Sequence, residues 1–482
     1  MPSYSTSRYN FKFPTDTASL IYNSLSGASQ LLRGEGSESL AQALCTFPAT
    51  TDDSSMPPEM ITTFLKNGFI IPQDYDELSV VRERFSYARS NAAVAMTVTL
   101  TQDCNLGCYY CYQDRQGSKL GELHLDDLVE HAKKLLKKSG KGKLHVDWYG
   151  GEPMLNLKFL ELASNSLQTL CEDMGVTYEA SMLSNGTMWP CDRREFVKKH
   201  KLVRVQISFD GIEKTHNKIR RKRNKFEHTC DNQFLEAVDV VNDLHEVIWV
   251  DVRFNISKVN FREAISFAEE SIARGWFQDV SKAKLQLAKI TAYTDKIDFI
   301  RKNDIGYSDF ESLRDEIRAI VEDKYLDISS AVEDYPKPRK SVCSAIADNS
   351  VVVGAEGMLY NCGLQIGEVE KSIGKLKSSS HAGNQKVYWM NNSRNDSSHR
   401  ENVEFWNNFN PADMTKCKVC SFLPLCWGAC PKLHLDKDQK YLDQQSEYWR
   451  KMLPKRLSAS TGVRIPSTFE LTHDDQFKGS LL

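Results

Sequence analysis

Three thiols fall within eight residues at 104–111, in the order CNLGCYYC, close enough for Cys104, Cys108 and Cys111 to converge on one metal centre. Thiolates are soft ligands that select zinc or iron–sulfur over hard cations. A structural zinc site normally closes with four ligands, and this segment offers three and no histidine nearby. Three thiolates on a cubane cluster leave one iron open, and an open iron can bind a substrate or cofactor. A zinc knuckle completed by a distant ligand is the structural alternative. Six further cysteines, Cys343, Cys362, Cys417, Cys420, Cys426 and Cys430, gather in the last third, where 417–430 in isolation also suits a zinc-ribbon-like fold. Cys45, Cys171, Cys191 and Cys230 are scattered singly and read as small buried hydrophobes.

The elements that must carry these residues alternate. A β-branched run at 94–101 leads into the first cysteine group and places it on a loop leaving a strand. Helical spacing over 125–139, with a lysine-rich end, is followed by a strand at 144–149 that ends in Gly150, Gly151, Glu152 and Pro153. A helix at 157–174 and a strand at 178–183 lead to Ser184, Asn185, Gly186 and Thr187. A helix at 194–201 precedes the strand 204–209, which ends at Asp210 and Gly211. The helix 232–245, strand 247–255, helix 261–275 and strand 284–290 complete six repeats. This pattern predicts an α/β fold with a parallel sheet, doubly wound or curled into a partial barrel. In such sheets the carboxyl ends of the strands form the active-site face, so four polar signatures are expected to share one cavity.

Composition limits the partners. Lys and Arg number 62 against 64 Asp and Glu, a net charge of −2, so no global basic field exists for nucleic acid or an anionic membrane. No apolar run approaches the ~18 residues of a membrane span. The first residues lack a secretory pattern, which predicts a cytoplasmic protein and reduced cysteines. The basic run 220–223 reads as a solvated face or an anion-facing loop. Residues 1–90 lack the alternation and read as a small α+β module, with a strand and turn at 20–27 and helices at 59–67 and 76–88. Residues 293–338 read as charged and mostly helical, with a break at Pro336 and Pro338, and 375–404 as a solvent-exposed loop.

C-x3-C-x2-C followed by GGEP, SNGT and S-x-D-G resembles a radical S-adenosylmethionine (SAM) enzyme over residues 94–290. The resemblance implies a partial (β/α)6 TIM-like barrel in which Cys104, Cys108 and Cys111 hold a [4Fe-4S] cluster whose open iron binds SAM. Tyr110 would contact adenine largely through its backbone, and Gly150 to Pro153, with Gly151 and Glu152, the methionine amino group. Ser184, Asn185, Ser208 and Asp210 would meet the ribose and carboxylate of SAM. The implied chemistry is one-electron cleavage of SAM to methionine and a 5′-deoxyadenosyl radical that abstracts hydrogen from an unactivated carbon. Tyr112, Asp147 and Glu152 are candidates for a general base.

The second cysteine group is similar to the SPASM domain, the cysteine-rich extension with auxiliary iron–sulfur clusters found in many radical SAM enzymes that act on peptides. By that likeness Cys343, Cys362 and Cys430 bind the inner auxiliary cluster, and Cys417, Cys420 and Cys426 the outer one. The pattern's seventh cysteine is missing after Cys430, so one or two auxiliary clusters are expected, the outer with a non-cysteine ligand if complete. The implied organisation is a recognition module at 1–90, a radical SAM barrel at 91–300, a helical linker at 301–338, a SPASM domain at 339–440 and a tail at 441–482. The implied activity is a peptide maturase that forms thioether or carbon–carbon crosslinks, or a related oxidative modification, on a ribosomally made precursor peptide or protein. Flavodoxin or ferredoxin would be the electron donor. Alternatives are a formylglycine-forming sulfatase maturase, whose aspartate after the second SPASM cysteine is replaced here by Gly363, and a non-catalytic zinc-binding interaction protein.

Overall fold

Six parallel strands make the core of a nine-stranded sheet in the computed structural model, which describes residues 3–52, 56–113, 115, 117–226, 232–278, 281–292, 294–303, 305–324, 335–376 and 397–478. The strands are β1 (Val94–Thr99), β2 (Lys143–Tyr149), β3 (Thr177–Ser184), β4 (Leu202–Phe209), β5 (Trp249–Ile256) and β6 (Ala283–Lys289). They lie side by side in chain order, each parallel to the last. The connecting helices are α1 (Leu125–Ser139), α2 (Leu157–Asp173), α3 (Arg193–Lys199), α4 (Glu213–Ile219), α5 (Gln233–Leu244) and α6 (Glu263–Ala273). This is the α/β, partial-barrel arrangement expected from the sequence.

Local chemistry explains the elements. In α1 the buried residues Leu128, Ala132 and Leu136 recur at helical spacing, Asp126 and Asp127 stand in the first turn, and Lys137 and Lys138 in the last. Those charges suit the helix dipole, and Gly140 ends the helix in the left-handed conformation. The strands alternate at period two. Leu144, Val146 and Trp148 of β2, and Val205, Ile207 and Phe209 of β4, go into the core beneath the helices. Tyr149 of β2, Gln206 and Ser208 of β4, and Arg253 and Asn255 of β5 point to the other face, where they line a cavity.

The sheet continues beyond β1. β7 (Ser350–Val353) pairs parallel with β1, and β8 (Met358–Tyr360) and β9 (Gly374–Lys375) follow antiparallel. The expected exposed loop at 375–404 is corrected in part: residues 377–396 lie outside the described residues, but Ser397–Asn408 is a helix with Trp406 buried in it. The Trp406 indole donates to Asn402, which also accepts from Gln365, so this polar stretch is anchored. Within 293–338 the described helices are Asp295–Asn303, of 3-10 type, and Tyr307–Lys324.

Two compact units divide the chain. One comprises Ala93–Leu326 and Asn349–Asn407, and the other Met1–Ala92, Asp327–Asp348 and Asn408–Leu482. In the latter, strands Asn10–Pro14, Ala18–Asn23 and Ser29–Arg33 form an antiparallel sheet, and Ser3–Thr6 pairs between Thr50–Asp52 and Ile70–Pro72. Helices Pro58–Asn67 and Glu77–Ser90 fall where the sequence predicts them. Phe11, Phe13, Leu20 and Tyr22 share a core with Phe422, Leu425, Leu453, Leu457, Ile465 and Leu471. Of the scattered cysteines, Cys171 is buried and Cys45 half-buried, whereas Cys191 is exposed, contrary to expectation, just before helix α3. Cys230 lies outside the described residues.

Candidate functional site

Cys104, Cys108 and Cys111 line one cavity of about 360 Å³ together with Tyr110, Gly150, Gly151, Ser184, Asn185 and Ser208. Four motifs separated by up to about a hundred residues meet there because each follows, or ends, a neighbouring strand of the same sheet. Among the described residues no three His, Cys, Asp or Glu side chains are grouped as ligands of a single ion. Three soft thiolates lining one cavity fit the donor set of an iron–sulfur cluster. Burial pushes the Cys104 thiol up to about 12 and the Cys108 thiol to about 11. Such thiols ionise only when a cation compensates the charge.

The glycines of the GGEP turn have a specific reason. The backbone N–H of Gly151 donates to Thr101 at 2.8 Å and that of Glu152 to Asp103 at 3.0 Å, so the turn is pressed against the chain entering the cysteine loop. A Cβ at Gly150 or Gly151 would strike the carbonyl oxygens of Thr101 or Asp103. Close approach to backbone, and not only to a ligand, therefore excludes side chains.

The acidic residues expected to touch a cofactor are turned to other work. Glu152 is buried and lies outside the cavity lining; its oxygens accept from the Asn185 N–H at 2.8 Å, the Ser184 hydroxyl at 3.0 Å and the Met154 N–H at 3.1 Å. Burial pushes its carboxyl up to about 7 against these donors. Asp210, also buried, forms an ion pair with Arg220 at 2.8 Å and accepts from the Tyr110 hydroxyl at 2.7 and 2.8 Å and from Asn255 at 3.0 Å. The Tyr110 hydroxyl is thereby tied to Asp210 and Arg220. Asp147 is bound to His145 at 3.2 Å and does not line the cavity. The Ser184 hydroxyl donates to Glu152 and accepts from Gly186 and the Trp189 indole. Asn185 ties Asn105 at 2.9 Å and the Cys104 sulfur at 3.7 Å. Ser208 alone of the expected polar contacts lines the cavity with no hydrogen-bond partner recorded among the described residues.

The basic run is placed most clearly. Only Arg221 of the run is exposed, and Arg220 and Arg223 face the carboxylates of Asp210 and Asp103, in line with the anion-facing alternative. Arg220 is buried against Asp210 and donates to the Tyr110 hydroxyl at 2.9 Å. Gly107 N–H donates to Arg221 at 2.8 Å, Arg223 N–H to Asn105 at 2.9 Å, and Leu106 bridges antiparallel to Lys222. Arg223 also reaches the Asp103 carboxylate at 2.6 Å and the Cys104 carbonyl at 2.7 Å, and Lys225 pairs with Asp103. Burial alone would raise Asp103, but Lys225 and Arg223 hold it below the ordinary carboxylate range. Residues 220–225 are a strap across the cysteine loop. Sequence reasoning missed Arg220, Arg223, Asn105, Tyr149 and Asn255. The one available signal was the run of cations directly after a helix that follows the Asp210 turn.

Tyr112 and Tyr149 also line the cavity, with their hydroxyl oxygens 2.6 Å apart. Burial raises both phenols.

In the unit containing residues 408–482, Cys417, Cys420 and Cys426 line a separate cavity of about 540 Å³ with His434, Trp449 and Gln476. Gln476 donates its amide to the Cys420 sulfur at 3.4 Å. Cys343 and Cys430 belong to this same unit and Cys362 to the other.

A parallel sheet whose strand ends bring a C-x3-C-x2-C loop against a GGEP turn defines a class, and residues 98–263 match the Radical SAM superfamily model. That matched region is about a third of the chain, and over it the chain is similar to the radical SAM superfamily. It is 28% identical over 187 residues to the sporulation killing factor maturation protein SkfB of Bacillus subtilis (strain 168), covering 38% of this chain and 41% of that protein. It is 25% identical over 274 residues to the antilisterial bacteriocin subtilosin biosynthesis protein AlbA of the same organism, covering 56% of this chain and 54% of that one. The chain thus spans about half the length of these curated relatives. The solved structure of native anSMEcpe with bound AdoMet shares the fold, with a TM-score of 0.55 at 15% identity, over 77% of this chain and 100% of that chain.

Proposed function

We propose that the chain is a radical SAM/SPASM peptide maturase that modifies a ribosomally made precursor peptide. The observation that carries this reading is the gathering of Cys104, Cys108 and Cys111, the glycine turn and an unengaged Ser208 around one cavity inside the region matched to the Radical SAM superfamily. The peptide part is supported by the names of two relatives, a maturation protein of a killing factor and a biosynthesis protein of a bacteriocin. In this reading the three thiols hold a [4Fe-4S] cluster, Gly150, Gly151 and the Tyr110 backbone seat SAM, and Ser208 offers a hydroxyl to its ribose or carboxylate. When bound, cluster and SAM supply one-electron chemistry that removes a hydrogen atom from the substrate.

The chain's own residues do the positioning. Arg223 and Lys225 fix the entry to the loop through Asp103, Arg220 and Asp210 fix its exit through Tyr110, and the glycine turn closes it from below. Such second-layer contacts keep ligands oriented and exclude solvent. Cys343, Cys362 and Cys430 would hold an inner auxiliary cluster and Cys417, Cys420 and Cys426 an outer one. Residues 1–90 would recognise the precursor, and flavodoxin or ferredoxin would supply electrons in the cytoplasm. Among the described residues no helix is long and apolar enough to cross a membrane.

Anaerobic reconstitution with iron and sulfide, followed by SAM and dithionite, tests the reading. Brown, air-sensitive protein that releases 5′-deoxyadenosine is expected, and the Cys104→Ala, Cys108→Ala, Cys111→Ala triple variant should release none while retaining auxiliary iron. Colourless, zinc-loaded protein, or no cleavage after full reconstitution, would remove it.

A further inference from the structure

The hydroxyls of Tyr112 and Tyr149 meet at 2.6 Å in the wall of the cysteine-lined cavity, and the two rings arrive there from different directions. Tyr112 follows Cys111 and packs its ring on Ile290, Ala292, Ile297 and Ile300. Tyr149 ends strand β2 and packs on Val352, Met358, Tyr360 and Ile366. The two phenols thus pack on different apolar clusters and meet at their hydroxyls.

Two phenols carry two hydroxyl protons. Their mutual hydrogen bond uses one. Among the described residues neither hydroxyl has a further hydrogen-bond partner, which leaves the second proton to a group entering the cavity that both residues line. A desolvated donor left unmade costs about 1–3 kcal/mol, and a ligand that supplies an acceptor recovers it. The neighbouring lining is mixed: Ile290, Ile297 and Leu364 are apolar, while Arg253 is held by its own bond to Asn255 at 3.0 Å. A neutral oxygen acceptor on an otherwise apolar group suits this corner, and a peptide carbonyl has that character.

We propose that the Tyr112 and Tyr149 hydroxyls form a donor dyad that binds a backbone carbonyl oxygen of the substrate peptide and so fixes which residue is presented to the cofactor. The inference rests on the peptide-maturase reading and deepens it. The dyad makes one hydrogen bond and breaks no covalent bond. Either phenol alone still has a proton to give, but without its partner the hydroxyl is free to rotate. Single Phe substitutions should therefore cost less than the double one.

The test compares wild type with Tyr112→Phe, Tyr149→Phe and the double variant, using as probe the synthetic peptide encoded beside the gene. In the reconstituted, unreduced enzyme with SAM present, the double variant should bind this peptide about tenfold more weakly and each single variant about threefold. SAM affinity should fall less than peptide affinity in every variant. In the unloaded chain, the unfolding midpoint of the double variant should match wild type, because the removed hydroxyls satisfy only each other. Equal weakening of SAM and peptide would overturn the inference by assigning the dyad to SAM. Unchanged peptide affinity, or a large drop in midpoint, would reduce the dyad to a structural contact. Failure of the wild type to cleave SAM would instead strike at the maturase reading and is scored separately.

Discussion

A carboxyl whose oxygens are all spoken for can still govern the pH behaviour of a site. Glu152 is held at about 7 by burial, above its ordinary value of 4.5, despite its three donors. A group raised in the folded state contributes stability that is complete below pH 4.5 and is lost as pH climbs through about 7. In the unloaded chain this amounts to a loss on the order of 3 kcal/mol across that window. Glu152→Gln removes the ionisation and should flatten the slope of urea-unfolding free energy against pH between those values, whatever it does to the absolute stability. An unchanged slope would mean that Glu152 titrates like a free carboxyl. At this scale the sequence was most legible where chemistry and spacing coincide: C-x3-C-x2-C needs only eight residues to declare itself. It was least legible for Asp210 and Glu152. Their types suit ligand binding, but their oxygens are consumed by Arg220, Tyr110 and Asn185, residues between 10 and 100 positions away that no local pattern connects.

Among the elements, the strap at 220–225 shows how a charge run misleads. Runs of cations usually face solvent because a buried charge needs a partner. Here the partners, Asp103 and Asp210, come from two other strand ends. Arg220→Met should leave Asp210 buried without its counter-charge and cost about 3–5 kcal/mol in urea unfolding of the unloaded chain. Adding Asp210→Asn should restore much of that loss, and a double variant no more stable than the single would show the two residues to be uncoupled. The six strands and five of the six connecting helices were read to within about two residues, because buried residues on alternate strand positions and on one helix face leave periodic marks, whereas the seven-residue α4 was missed. β7 was missed because four residues are too few to show a period, and the Ser397–Asn408 helix because its polar surroundings resemble a loop.

For the molecule as a whole, the extreme ends of the chain share one apolar core. Leu453, Leu457, Ile465 and Leu471 pack with Phe11, Phe13, Leu20 and Tyr22, and the buried Lys478 ammonium reaches the Asn10 carbonyl. Stripping large aliphatic side chains from a core costs about 2–5 kcal/mol each. Ending the chain after Asp438 should therefore unfold residues 1–92 as well, making them the first target of limited proteolysis while residues 93–300 persist. Protection of the amino-terminal segment in that truncated protein would contradict the shared core. Tryptic fragments identified by mass spectrometry decide between these outcomes.

β7 has a consequence for biosynthesis. It joins β1, the strand leading into the cysteine loop, from about 250 positions downstream. Until the ribosome has delivered it, the flank of β1 opposite β2 offers bare backbone amides and carbonyls to any passing strand. Long-range parallel pairing of this kind is slow to form and prone to mispairing meanwhile. The nascent polypeptide thus has a defined interval of vulnerability, from emergence of the first sheet strand to release of residue 353. Within it, chaperone protection matters more than at any later time.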